Sequence, residues 1–338
     1  MPYHVIIQPG GHEFQVADNE SVLDAALREK GSILPYGCRN GTCGSCMGTL
    51  LSGQVVYPEG RPSALSEREA IEGKALLCQA RPDSDLVIEV REVKTAGDIP
   101  VRILPCRVEQ RELLAPDVMR LSLRLPNTER LQFLAGQYVD ILLADGRRRS
   151  FSLANPPHAD SLLELHVRHV PGGFFTSYIF ERMKEKALLR FQGPLGTFFL
   201  REDSPRPVIL VGGGTGFAPL KGMLEHAFHI GWNHPLHLYW GARAQVDLYL
   251  NMLPQRWLEE YPHFRYTPVL SEPRIEDHWK GRTGWVHEAV IADYPDLSGY
   301  DVYMSGPPPM IDAAKPAFMA QGLPAEQLFY DSFEFSAR

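Results

Sequence analysis

No run of apolar residues in this 338-residue chain approaches the ~18 that a membrane-spanning helix requires. The opening MPYHVIIQPGG has neither a basic leader nor a long apolar stretch, so a soluble, cytoplasmic protein is the expectation. Positive charge is also in short supply. There are 34 Lys and Arg against 41 Asp and Glu, a net charge of −7, and the basic residues are not clustered, which excludes the usual electrostatic footprint for nucleic acid or an anionic membrane. The signatures GxSxG, HExxH and GxxxxGK[ST] are absent, so nucleophilic hydrolysis, zinc peptidase chemistry and P-loop phosphate binding have no foothold. Cysteine is scarce at five, and without an export signal these thiols read as ligands or packed side chains rather than disulfides. Glycine (29) and proline (28) are plentiful, beside 44% apolar and 22% charged residues. That composition describes a turn-rich globular chain, long enough for two or three domains.

The texture changes twice along the chain. The runs YHVIIQ and HEFQV around Pro9-Gly10-Gly11 predict a hairpin. ESVLDAALREKG predicts a helix with Val22, Leu23, Ala26 and Leu27 on one face, Asp18 or Asn19 as N-cap and Gly31 as stop. DLVIEVREV closes this first region as a strand, and SEREAIEG reads as a solvated helix face. From about 100 to 200, RILPCRVEQREL, VMRLSLRL, QYVDILL, RSFSLAN and LLELHVRHV have the spacing of a small β-barrel, interrupted by a helix over Phe175 to Lys184. From about 206, strands VILV, LHLYWG, YTPVL, DVYMSG and QLFYDSF alternate with helices through Leu220–Phe228, Leu248–Glu260, Val286–Ala292 and Met310–Gln321. Such alternation predicts a parallel α/β sheet. TAGDIP (95–100) has the composition of a short hinge.

Four of the cysteines are spaced to carry chemistry. Cys38, Cys43 and Cys46 are separated by four and then two residues, and Cys78 follows in ALLCQA; this is the plant-type ferredoxin spacing for a 2Fe-2S cluster. Gly37, Gly41, Gly44 and Ser45 let backbone N–H groups approach the sulfurs. Zinc sites prefer two short Cys pairs or Cys/His knuckles, which this loop does not supply. Cys106, alone in a strand-like run, reads as a packed core thiol.

Two further segments carry a resemblance. RRRSFSLANPP places Arg149, Ser150, Phe151 and Ser152 before Pro156-Pro157, and RSFS resembles the RxYS motif of the ferredoxin–NADP reductase superfamily, with Phe for Tyr. Alone, RSFS is also what an ordinary amphipathic strand contains. LHVRHVPGGFFTSYI (165–179) is similar to the second flavin segment of that family, in the expected order. The resemblance implies that Arg149 contacts the FAD pyrophosphate, Phe151 packs on the isoalloxazine and Ser152 approaches flavin N5. It implies that Gly172, Gly173 and Thr176 meet the pyrophosphate at a helix N-terminus, a natural anion site, and that His166, Val167 and Arg168 border the cofactor through their segment.

VILVGGGTGFAPLKGML is a strand, a glycine turn and a helix, with Phe217 where a GxGxxG fingerprint needs glycine. GGGTGFAP instead resembles the nucleotide loop of the same superfamily, which implies that Gly213, Gly214, Thr215, Gly216 and Pro219 bind NAD(P), with Thr215 near the nicotinamide. The CGPPxM marker of the family is matched by Ser305, Gly306, Pro307 and Met310. Serine for cysteine removes the usual thiol and implies tuned rather than abolished hydride transfer. For the adenosine end, Arg243 could greet a 2′-phosphate, while Ser271-Glu272 stands where NADPH-specific members tend to carry Arg. Carboxylate–phosphate repulsion favours NADH. In FYDSFEF, Tyr330, Phe333 and Phe335 are candidates for packing by the flavin or in the core.

The resemblance spans the chain. It implies a multi-domain protein: a β-grasp ferredoxin (α+β) over 1–93, an antiparallel β-barrel FAD domain over 100–203, and an α/β parallel-sheet NAD(P) domain over 204–338, the layout of benzoate-dioxygenase-reductase-type proteins. The implied activity is electron transfer from NADH through FAD and 2Fe-2S to a separate protein. Reductases of this type serve Rieske oxygenases, di-iron oxygenases and the dehydrase of 3,6-dideoxy sugar formation, whose similar component is CDP-6-deoxy-Δ3,4-glucoseen reductase. An oxygenase partner is placed first and the sugar dehydrase second. A reading of another class is a non-catalytic redox sensor or docking module, against which the intact GGGTG and RSFS segments speak. Residues 1–92 hold eight basic and thirteen acidic residues, an acidity suited to a basic partner, or simply to solubility.

Overall fold

A computed structural model describes residues 2–31, 33–90, 92–93 and 99–334. Residues 95–98 of the expected hinge, and Phe335, lie outside the described residues. The chain divides into two compact units, residues 1–102 with 194–198, and residues 103–193 with 199–338.

In the first unit, β1 (Tyr3–Gln8) and β2 (Glu13–Val16) pair antiparallel as the hairpin signal predicts. Helix α1 (Val22–Lys30) packs Val22, Leu23, Ala25 and Ala26 inward. Its N-cap is Ser21, whose Oγ accepts from Asp24 N at 3.0 Å. Asp18 and Asn19 are therefore not the cap: the helix starts later than the expectation placed it, and a Ser hydroxyl serves as well as a carboxylate. Gly31, at φ 66°, ends the helix as expected. The strands β3 (Met47–Ser52), β5 (Lys74–Leu76) and β7 (Leu86–Glu89) complete a sheet in the order β2-β1-β7-β3-β5, with β1 and β7 parallel. β4 (Val55–Val56) and β6 (Arg81–Pro82) form a separate two-stranded ribbon. Helix α2 (Glu67–Ile71) buries no side chain and is held by a Ser66/Glu69 capping box, the solvated helix that SEREAIEG predicts. One helix laid on a mixed sheet is the β-grasp arrangement expected.

In the second unit, β8 (Arg102–Ala115), β9 (Val118–Arg124), β10 (Tyr138–Leu142), β11 (Arg148–Ser152), β12 (Leu163–Arg168) and β13 (Leu188–Leu195) form an antiparallel sheet in the order β11-β10-β13-β8-β9-β12. A bridge from Leu153 to Leu165 joins its two edges and closes the barrel. Period-two alternation sends Leu163, Leu165 and Val167 of β12 into a core that also holds Cys106, Phe175, Ile179 and Phe191. Cys106 is thus the packed thiol expected, and burial pushes its pKa up to about 12. Helix α3 (Phe174–Glu181) ends three residues before the predicted Lys184.

The rest of this unit is a parallel sheet of β14 (Val208–Gly213), β15 (Leu236–Ala242), β16 (Phe264–Leu270), β17 (Arg282–Thr283), β18 (Asp301–Gly306) and β19 (Leu328–Ser332), ordered β17-β16-β15-β14-β18-β19. Its helices are α4 (Phe217–His229), α5 (Met252–Glu260), α6 (Val286–Asp293) and α7 (Pro308–Ala320). Helix α5 starts four residues after the predicted Leu248, and the two-residue β17 was not foreseen, being too short to show alternation. From β14 the chain proceeds outward through β15, β16 and β17, then returns to lay β18 on the other side of β14. The reversal leaves a crevice at the carboxyl ends of β14 and β18, where open α/β sheets bind ligands.

Candidate functional site

The first unit assembles its four cysteines by strand register. Cys46 directly precedes β3 and Cys78 lies two residues past β5. The pairing Met47↔Leu76, with Leu77 N donating to Cys46 O at 3.1 Å, carries the distant cysteine to the loop. That loop turns back on itself through positive φ at Arg39, Gly41 and Gly44. The turns direct backbone amides at sulfur: Cys38 N donates to Cys43 Sγ, and Cys43 N to Cys38 Sγ, both at 3.4 Å, and Ser45 N to Cys43 Sγ at 3.5 Å. A Cβ on Gly37 would stand 3.4 Å from Cys43 Sγ. All five cysteines are free thiols. Four free thiols, with amide donors on the Cys38 and Cys43 sulfurs, fit a 2Fe-2S cluster, whose sulfurs require such donors.

In the second unit the two crevice loops are packed backbone to backbone. Ser305 of β18 pairs with Gly212 of β14 on one side and with Asp331 of β19 on the other. Gly214, at φ 54°, turns the chain into a single 3-10 turn, Gly214–Gly216, that opens α4. A side chain on Gly216 would collide with Ser305 O at 1.9 Å, and one on Gly213 with Met310 Sδ at 2.6 Å and Pro307 Cδ at 2.9 Å. The SGPPPM segment therefore rests on the glycine turn, joining two motifs 90 residues apart in sequence. Thr215 is buried, and Pro219 is buried in the first turn of α4. Ser305 is 0% exposed and its Oγ has no hydrogen-bond partner among the described residues. Arg168 covers Gly214, with Nη1 3.1 Å from where a Cβ would stand. Its Nε lies 3.4 Å from Asp117, while its Nη2 is buried without a hydrogen-bond partner among the described residues. The unpartnered Arg168 Nη2 at a glycine turn that opens a helix suits a dinucleotide phosphate.

The flavin-segment residues reach the same place from the barrel. Ser152 Oγ donates to Asp331 Oδ2 at 3.1 Å, so β11 touches the strand beside Ser305. Ser150 Oγ donates to Asp140, and Arg149 Nη1 to Arg148 O at 2.7 Å. Phe151 packs against the barrel core, 6.0 Å from Phe175. Gly172, at φ 75°, and Gly173, the N-cap of α3, leave that helix start without a side-chain cap. Thr176 Oγ1 closes the turn by donating to Val170 O at 3.2 Å. Val167 points into the barrel core, so it presents only backbone to a ligand. Phe333 is held by its N–H to Gly306 O at 2.9 Å, while Lys315 Nζ lies 4.3 Å over the Tyr330 ring.

His166 sits apart from these. Its ring is buried, with Nε2 2.7 Å from Glu164 and Nδ1 3.0 Å from the Tyr249 hydroxyl. Past the end of β15, Arg243 stands 3.7 Å from Asp247 and 4.0 Å from Asp117, and the Glu272 N–H donates to Arg243 O at 2.8 Å. Ser271 N likewise holds Ala242 O. Sequence reasoning did not single out Asp331, Asp117, Glu164 or Tyr249. Only Glu164 left a local signal, as a polar residue alternating with the core leucines of β12.

Comparison with known proteins agrees with this geometry. Residues 5–83 match a 2Fe-2S iron-sulfur cluster binding domain, residues 105–200 an oxidoreductase FAD-binding domain, and residues 210–316 an oxidoreductase NAD-binding domain. The chain is 39% identical over 333 residues to a CDP-6-deoxy-L-threo-D-glycero-4-hexulose-3-dehydrase reductase of Yersinia pestis, covering 98% of this chain and 99% of the relative. It is 36% identical over 343 residues to the reductase component DmpP of phenol 2-monooxygenase from a Pseudomonas species, covering 100% and 96%. Among solved structures, the Amycolatopsis cytochrome P450 reductase GcoB superposes with a TM-score of 0.81 at 35% identity, covering 98% of both chains.

Proposed function

This chain belongs to the family of oxidoreductases that join a 2Fe-2S ferredoxin domain to FAD- and NAD-binding domains, and from that premise we propose that it oxidises NADH and delivers electrons to an oxygenase component. When bound, FAD would supply the chemistry that links a two-electron hydride donor to a one-electron 2Fe-2S acceptor. Everything else falls to the chain. Arg149, Gly172, Gly173 and Thr176 hold the flavin pyrophosphate at the start of α3. Phe151 and Ser152 position the reactive ring, and Cys38, Cys43, Cys46 and Cys78 hold the cluster. Gly213–Gly216 with Arg168 seats the dinucleotide phosphates, and Thr215 and Ser305 orient the nicotinamide. The observation that carries this reading is the convergence of Ser152, Asp331, Ser305 and the glycine turn at the carboxyl ends of β14 and β18.

NADH is preferred because Arg243 is held near Asp247 and Asp117, at 3.7 and 4.0 Å, and its backbone is bonded to that of Glu272. A 2′-phosphate would compete with the Asp117 and Asp247 carboxylates for Arg243. Steady-state kinetics with NADH and NADPH test this: kcat/KM should favour NADH, and Glu272→Arg should narrow the ratio. A wild-type preference for NADPH contradicts it.

A second reading of the acceptor, a CDP-hexulose dehydrase, is favoured by the 39% identity across nearly the full length of the Yersinia pestis reductase. Coupled NADH oxidation with a purified oxygenase component, or with a dehydrase and its CDP-hexulose, separates the two. A cytoplasmic site of action is part of the proposal, supported by the free cysteines.

A further inference from the structure

We infer that Glu164, His166 and Tyr249 are positioning residues for hydride transfer, a hydrogen-bonded strut that fixes the glycine turn of the nucleotide site against barrel strand β12. The inference rests on the reading that NADH reduces the bound flavin. It begins with alternation along β12. While Leu163, Leu165 and Val167 enter the barrel core, Glu164, His166 and Arg168 face the other way. Each of the three meets a different part of the nucleotide-binding half of the unit. Glu164 lies 3.5 Å from Lys221 of α4, His166 is bonded to Tyr249, and Arg168 covers Gly214.

The bonding has a definite direction. Burial pushes the Glu164 carboxyl up, but its hydrogen bond with His166 and the positive charges of Lys221 and Arg120 outweigh that and hold it down at about 2. An ionised Glu164 can only accept, so His166 Nε2 carries the proton and donates to it at 2.7 Å. His166 is 0% exposed at its side chain, and burial lowers its pKa, so the ring stays neutral. Nδ1 is then an acceptor and the Tyr249 hydroxyl donates to it at 3.0 Å. Lys221 anchors the far end, donating to Ala154 O at 3.1 Å beyond β11 and pairing with Glu225 at 3.0 Å.

From Tyr249 the contact continues to the turn itself. Its ring stands edge-on to Trp240, centroids 5.1 Å apart at 85°. Trp240 Nε1 donates to Gly214 O at 2.9 Å, and its indole stacks on Phe217 at 4.0 Å. The turn is therefore linked to β12 through His166, Tyr249 and Trp240, with the Arg168 guanidinium lying against Gly214. A buried polar network of this kind is rarely needed for stability, since well-packed apolar residues of similar volume often serve equally. A geometric task is what justifies it. Reacting atoms must be held at about 3–3.5 Å, and a displacement of about 1 Å far from the chemistry can cost about 100-fold in rate.

The test uses Tyr249→Phe, which removes one hydroxyl and keeps the ring, with His166→Leu and the double variant. Anaerobic rapid mixing of the holoprotein with NADH gives the limiting rate of flavin reduction and the NADH dissociation constant separately. Amide hydrogen exchange of residues 212–217 in flavin-free protein reads the turn without activity. Tyr249→Phe should lower the limiting rate by about 10-fold while leaving NADH affinity and FAD content within about 2-fold, and it should speed exchange at the turn. The double variant should be no worse than His166→Leu, as expected of groups acting through one bond. An unchanged limiting rate, or a loss confined to NADH affinity, FAD content or melting temperature, overturns the inference. Wild-type flavin that neither NADH nor NADPH reduces overturns the functional reading instead, and the exchange measurement then decides the strut alone.

Discussion

Replacing Gly216 with alanine probes the contact on which the nucleotide crevice is built. Gly216 has φ −58° and ψ −15°, a helical conformation that alanine adopts freely, so any effect is steric rather than conformational. The added methyl would lie 1.9 Å from Ser305 O, 2.4 Å from Ser305 C and 2.9 Å from Gly306 Cα. All three are backbone atoms at the end of buried β18, with no rotamer to swing aside. Restoring an ordinary carbon contact of about 3.5 Å requires the two loops to part by about 1.5 Å. Overpacking of this kind costs about 1–3 kcal/mol, which at about 2–4 °C per kcal/mol lowers Tm by about 2–12 °C. The catalytic loss should be larger: a shift above about 1 Å predicts about a 100-fold fall in kcat/KM for NADH. FAD content should hold, because the flavin segments lie on the barrel. Gly299→Ala, whose Cβ meets nothing within 4 Å, is the control. The assay is NADH-dependent ferricyanide reduction with thermal melts. If Gly216→Ala matches Gly299→Ala in both, the contact between the two loops does not organise the site.

Other perturbations have definite outcomes. Cys43→Ser should abolish the visible absorbance of the cluster and cytochrome c reduction while sparing ferricyanide reduction; equal loss of both contradicts a route from flavin through cluster. Ser305→Ala removes a buried hydroxyl that lacks a partner among the described residues, so urea melts of the nucleotide-free protein should show about 1 kcal/mol of added stability while KM for NADH rises; a destabilised variant contradicts this. Burial lowers the pKa of His237 to about 4, against the smaller raising effect of Asp293. Its stabilising contribution is full above its unfolded pKa of about 6.5 and is lost as pH falls through 4, about 3 kcal/mol in all. Urea melts at pH 7 and pH 4.5 should therefore show a smaller acid loss in His237→Gln than in wild type, and equal losses refute the assignment.

What the sequence made legible was whatever is encoded locally. The spacing of Cys38, Cys43 and Cys46, the GGGTG turn between a strand and a helix, and the alternation of LELHVR each reflect constraints acting within a dozen residues. The barrel and the parallel sheet follow from such patterns because strand and helix periods differ, while the β-grasp is what the family resemblance implies. Less legible was anything set by long-range register. Ser152 meets Asp331 across 179 positions and His166 meets Tyr249 across 83, and no local period announces either pairing. In FYDSFEF attention falls on the aromatics, yet Asp331 is the side chain that reaches the flavin-segment serine. The helix cap at Ser21 was missed for a smaller reason: Asp18, Asn19 and Ser21 are all good caps, and only the packing of Val22 and Leu23 chooses among them.

Anaerobic stopped-flow mixing with NADH, following flavin and iron–sulfur absorbance together and with NADPH in parallel, tests the central claim most directly. The account predicts that the flavin bleaches first, the cluster follows, and NADH outpaces NADPH. A cluster that stays oxidised while NADH is present would contradict electron transfer through this chain and leave a redox sensor or docking module as the better description.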